Sequence, residues 1–102
     1  MKFVTFAMFP PDKAAEVAEV VDKVANTPGI KRIAQYVFQG NPFPPTVPPN
    51  SMVAITISDA ESNEALAAVN YPIGLAGVAN WTVPVLEMPE AGVAEEEKKY
   101  RG

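Results

Sequence analysis

Histidine and cysteine are both missing from the 102 residues. That removes the commonest general base at neutral pH, the thiol nucleophile, imidazole–thiolate zinc sites and any disulfide framework. Positive charge is scarce: eight Lys and Arg stand against twelve Asp and Glu, a net charge of −4. Lys31–Arg32 is the only basic pair before the C-terminal tail. A phosphate backbone is repelled by such a chain, so no nucleic-acid partner is expected. No apolar run reaches the roughly eighteen residues of a spanning helix, so no membrane partner is expected either. The opening Met1–Phe9 carries one positive charge and a short apolar run that Pro10–Pro11 stops. Without a small-residue cleavage site it reads as a strand rather than a signal peptide, and the chain is expected in the cytoplasm. No glycine-rich phosphate loop, acidic metal cluster or Gly-x-Ser-x-Gly elbow occurs, and no cofactor is expected. Asn80-Trp81-Thr82 matches a glycosylation sequon, but it opens a predicted strand in a chain without an export signal.

What is present is a globular composition, 48% hydrophobic and 20% charged, at the length of one domain. Residues 2–9 are rich in Phe and Val and predict a strand that is apolar on both faces. Pro11 suits a first helical position, and Asp12 suits the positive end of the helix dipole. Ala14, Val17, Ala18, Val21, Val24 and Ala25 then recur at helical spacing, with Lys13, Glu16, Glu19, Asp22 and Lys23 opposite. The pattern predicts an amphipathic helix of about four turns, ended by Pro28–Gly29.

Residues 30–38 predict a second strand, and residues 51–58 a third, alternating Val53, Ile55 and Ile57. Between them, Gln39–Asn50 carries five of the eleven prolines. Its Pro-x-x-Pro spacings favour extended polyproline. A stiff hairpin extension anchored by Phe43 over a dimer partner explains the loop better than a groove-docking motif. Ser58 and Glu61 have capping-box spacing for a second helix burying Ala65, Leu66, Ala68 and Val69 and closing at Tyr71–Pro72. Ile73–Asn80 reads as a close-packed loop or short helical turn. Trp81–Met88 predicts a fourth strand, and Pro84 demands that it lie at a sheet edge.

The order β-α-β-β-α-β predicts an α+β, ferredoxin-like fold. Its four-stranded antiparallel sheet takes the order 4-1-3-2, with two helices on one face. The domain spans 1–88, and 89–102 forms a polar tail or short helix.

With the strand Phe3–Met8, the helix after Pro11, the proline-rich loop and Trp81-Thr82-Val83-Pro84-Val85-Leu86-Glu87-Met88 in view, the chain resembles the dimeric α+β barrel superfamily. Within it, the likeness is nearest to small stand-alone members of uncharacterised function with a Val-x-Pro-Val-type last strand. The resemblance implies two sheets meeting face to face across a two-fold axis. It brings no single activity: cofactor-free monooxygenases, isomerases, haem-degrading enzymes and ligand sensors share the architecture. The histidine used by haem-degrading members is absent here.

Physics supports the same homodimer. Helices cover one sheet face, yet strands one and three are apolar on both. A bare face of that size exceeds the apolar patch a monomer tolerates. The open face is expected to carry Phe3, Thr5, Ala7, Met52, Ala54, Thr56 and Thr82, with Gln35 or Tyr36. Such a surface reads as apolar walls with a few orienting groups, or as hydrogen bonds inside a packed interface. Candidate ligand-binding residues are Thr5, Gln35, Tyr36, Thr56, Asn80 and Trp81. Asn80–Trp81 invites comparison with the asparagine and tryptophan of cofactor-free monooxygenases, although those are not adjacent in sequence; Trp81 also reads as core. Arg32 has the bidentate fork to hold a carboxylate, whereas a solvated strand edge accounts equally for Lys31 and Arg32. Asp59, Glu61 and Glu64 read as local capping, without a second acid for acid–base work. The leading expectation is a homodimeric small-molecule-binding or interaction module without catalytic machinery. The alternative is a cofactor-independent monooxygenase or isomerase acting on a small apolar or aromatic substrate.

Overall fold

Strand β1, Lys2–Phe9, lies between two partners in a computed structural model that describes residues 1–40 and 51–101. It pairs antiparallel with β3, Met52–Ala60, and with β4, Ala79–Pro84. Strand β2, Ile30–Val37, pairs antiparallel with the far side of β3. The order β2-β3-β1-β4 is the predicted 4-1-3-2 read backwards, and the chain has the ferredoxin-like α+β fold. Pro84 lies on an edge strand that bonds only to β1, where its missing N–H interrupts no second ladder.

Pro10 and Pro11 end β1 and start a 3-10 turn, Pro11–Lys13, that runs into helix α1, Ala14–Lys23. Val17 of α1 is buried with Phe9 and Val78, and Ala7, Ala14, Val21, Met52, Ala54 and Ile73 pack around them. Gly29 sits at φ +83 where the chain turns into β2. A Cβ there would stand 3.2 Å from Ala65 Cβ, so only glycine combines that backbone with that approach.

Several boundaries differ from the sequence reading. β3 runs two residues beyond Ser58, because Asp59 pairs with Lys2 and Ala60 with Ile30. Ser58 is thereby buried inside the sheet, and Ser62 caps helix α2, Asn63–Leu75, accepting the Ala65 amide at 3.1 Å. Pro72 lies within α2 rather than at its end. The helix stops three residues later, where Gly77 adopts φ +95 after the C-cap Ala76. Ala65 and Val69 are buried as expected, while Ala68 is exposed. β4 begins at Ala79 and ends at Pro84 instead of spanning 81–88, with one further ladder bond from the Val85 amide to the Lys2 carbonyl. In the tail, α3 is a short helix, Val93–Lys98, without a buried residue. The proline-rich segment from residue 41 to 50, with the expected Phe43 anchor, lies outside the described residues.

Candidate functional site

The antiparallel registers divide the sheet into cross-strand rows, and each row faces one side. Arg32–Ser58–Phe3–Pro84, Gln35–Thr56–Thr5–Thr82 and Val37–Ala54–Ala7–Asn80 are three such rows. Members of all three line a space shared with α1 and α2, so these rows lie under the helices. Ala34–Ile57–Val4–Val83 and Tyr36–Ile55–Phe6–Trp81 alternate with them and face the other way.

This corrects the expected sides. Phe3, Thr5, Ala7, Met52, Ala54, Thr56 and Thr82 belong to the helix-covered face, which is small at its centre, while Phe3 and Met52 stand toward its two ends. The helices come down over small residues, Ala7, Ala54 and the threonines. The bulky Val4, Phe6, Ile55 and Ile57 are left for the uncovered side. A register irregularity in β2 between Arg32 and Ala34 settles the Gln35-or-Tyr36 ambiguity. One residue, Ile33, is inserted there, so parity flips. Gln35 consequently joins Arg32 on the helix side, and Tyr36 faces outward.

Between helices and sheet is a cavity of about 280 Å³. Its walls are predominantly apolar: Ala14, Val17, Val21, Leu66, Val69 and Ile73 from the helices, with Ala7, Phe9, Met52 and Ala54 from the sheet. Ala18, Ala25, Gln35 and Val37 line it while remaining exposed, so it opens between α1 and the edge strand β2.

Its polar lining includes Gln35, Thr56 and Ser58, beside two groups fixed by hydrogen bonds. On the β1–β4 side, the Thr5 and Thr82 hydroxyls are 2.7 Å apart, and Asn70 Nδ2 donates to Thr82 Oγ1 at 2.9 Å. Asn80 Nδ2 donates to the Asn70 carbonyl at 3.3 Å. Thr82 accepts from Asn70 and can donate its own proton to Thr5, which leaves the Thr5 proton for a further acceptor. Toward β2, Arg32 Nη2 donates to the Val21 carbonyl at 2.6 Å. No acid lines the cavity, and no group of three or more metal-ligating side chains occurs among the described residues. The described lining therefore offers hydroxyl, amide and guanidinium groups for hydrogen bonding.

Of the six predicted site residues, Thr5, Gln35, Thr56 and Asn80 line this cavity. Tyr36 and Trp81 instead share one row of the open face. Trp81 is 42% exposed and stacks on Phe6 with ring centroids 5.6 Å apart, so it is not core within the single chain. Sequence reasoning missed Asn70, which the helical register of α2 could have placed one position from buried Val69. Arg32 also belongs to the cavity, through its row partner Ser58.

The open face is largely apolar along its middle rows. Tyr36 is 59% exposed and Val83 45%. Val53, on the same face, is already buried, and its carbonyl accepts the Phe38 amide. Charges gather at one end of that face, where Lys31, Asp59 and Lys2 align across three strands and Lys2 Nζ reaches Glu87 at 2.7 Å. The Met1 ammonium lies 2.7 Å from Asp59 and holds its carboxyl below the usual pKa. No helix among the described residues is long and apolar enough to cross a membrane.

No protein-family model matches the chain, and no curated sequence matches it significantly. Solved structures do. A cofactor-independent oxygenase from Streptomyces nogalater, SnoaB, is similar at 15% identity and TM-score 0.51, over 88% of this chain and 99% of that one. Formyltetrahydrofolate deformylase from Burkholderia mallei is similar at 16% identity and TM-score 0.48, over 86% of this chain. This chain spans only 30% of that deformylase. At 15% identity the likeness to the oxygenase shows the α+β fold alone.

Proposed function

We propose that this chain binds a small, mainly apolar molecule in the helix-covered cavity and works as a homodimer joined through its open sheet face. The cavity carries the reading: about 280 Å³ of space with mainly apolar walls and a few hydrogen-bonding groups. An apolar cavity of roughly 150 Å³ accommodates a benzene, so the volume suits a one- or two-ring ligand. The dimer is supported by the row Tyr36–Ile55–Phe6–Trp81 and its apolar neighbours, which a lone protomer leaves in water.

The second reading, a cofactor-independent monooxygenase or isomerase, draws on the likeness to SnoaB over nearly the whole of that chain. Thr5, Asn70 and Asn80 would then orient a substrate whose own chemistry supplies the reactive carbon. Turnover would accompany binding in that case, with oxygen uptake or an isomerised product.

The test is titration of isotopically labelled protein with 2-naphthol, an uncharged two-ring molecule with one hydroxyl. Saturable shifts at Thr5, Ala54 and Asn80, lost in the cavity-filling Ala54→Phe, are expected. Absence of saturable binding, or shifts confined to Tyr36 and Trp81, would overturn the cavity reading. Oxygen consumption in the same sample separates the catalytic reading from the binding one.

A further inference from the structure

Among the described residues that line the cavity, Arg32 is the only charged one. It is partly buried, and no carboxylate among the described residues forms an ion pair with it. One of its five N–H groups is spent on the Val21 carbonyl at 2.6 Å. That carbonyl belongs to the last turn of α1, where the carbonyls lack helical partners. The contact therefore caps a helix end and bridges α1 to β2 across the cavity opening. A helix C-terminus contributes only about half a negative charge, which leaves the guanidinium incompletely compensated. Arg32 lines an apolar chamber, where water screens a charge poorly and a missing counter-ion is costly. In a chain of net charge −4, this cation is set within a described lining that is otherwise uncharged.

We infer that the ligand of this cavity is an anion: a small carboxylic acid with a one- or two-ring apolar body, its carboxylate held by Arg32 at the opening and its apolar body inside. The planar guanidinium suits a carboxylate by paired hydrogen bonds, which a lysine at the same place could not match. The Thr5–Thr82–Asn70 cluster then meets the ligand's far end, where a hydroxyl or carbonyl substituent can bond. The inference rests on the cavity being a binding site, and it adds the ligand's charge and orientation.

The experiment compares 2-naphthoate, 2-naphthamide and 2-naphthol on the wild-type protein at neutral pH, where only the first is ionised. Naphthoate should bind at least tenfold more tightly than the uncharged, similarly shaped naphthamide. Arg32→Gln should bring that ratio close to one, and Arg32→Lys should restore part of it. Equal or weaker naphthoate binding by wild type overturns the inference even if Arg32→Gln fails to fold. A ratio unchanged in folded Arg32→Gln overturns it as well. Saturable naphthol binding without a naphthoate preference sinks the anion alone; no binding by any of the three sinks the cavity reading with it.

Discussion

Thr82 is the junction of the cavity's hydroxyl–amide cluster, and its removal has a calculable signature. Thr82→Val keeps the shape of the side chain and deletes two contacts at once, to Thr5 at 2.7 Å and from Asn70 at 2.9 Å. Each such bond contributes about 1 kcal/mol net. The cluster is only partly buried, so water can replace part of the loss and the larger penalty of a sealed orphan does not apply. Thr82→Val should therefore cost about 2 kcal/mol, and Thr5→Val, which breaks one bond, about 1 kcal/mol. The double variant breaks nothing that Thr82→Val has not already broken. It should cost about 2 kcal/mol rather than the additive 3, a coupling of about 1 kcal/mol. The gain from extra apolar methyl groups enters both single variants and the double, and cancels in the cycle. For a domain of this size, Thr82→Val corresponds to a fall of roughly 8–16 °C in Tm. Urea denaturation followed by far-UV circular dichroism measures all four proteins, at one fixed protein concentration because self-association shifts the midpoint. Additivity within about 0.4 kcal/mol would refute the shared-hydroxyl geometry.

Three further outcomes follow from other parts of the molecule. Ile55 lies between Tyr36 and Phe6 in the open face, so Ile55→Lys should convert a micromolar dimer to monomer in sedimentation velocity by burying an unpaired charge. A wild-type particle of 10.9 kDa, or a variant that still dimerises, contradicts the interface. Ser62→Ala should cost about 1 kcal/mol and speed amide exchange at Ala65, whereas Ser58→Ala should leave that amide protected; the reverse pattern would return the cap to Ser58. The Asp59 carboxyl is held below its ordinary pKa by the Met1 ammonium, so its stabilisation is present above that ordinary value and is lost as pH falls through the lower folded value. Asp59→Asn should flatten the acid limb of the stability profile, and an unchanged limb would show that this exposed pair contributes nothing.

Local chemistry was enough to place most elements. Hydrophobic alternation marked β1 and β3, helical spacing marked α1, and Pro84 put β4 at an edge, because each signal is written within a few neighbouring residues. The sequence likewise showed that strands one and three are apolar on both faces, from which the need for a second covering surface follows. Caps were less legible. Ser58 and Ser62 both suit a helix start, and the choice fell to pairing of Asp59 and Ala60 with distant strands.

Which face the helices cover was decided only in three dimensions. Both sides of β1 and β3 are greasy, so the pattern does not distinguish them. Helix packing favours the side where Ala7, Ala54 and the threonines allow close approach, and leaves Phe6, Ile55 and Trp81 outside. The inserted Ile33 then reverses parity along β2 and separates Gln35 from Tyr36. Composition and periodicity thus determined that this chain has two apolar faces, while packing determined which became a chamber and one extra residue which β2 side chains reach it. Strand alternation is a local rule, whereas the side it points to is set by what lands on the sheet.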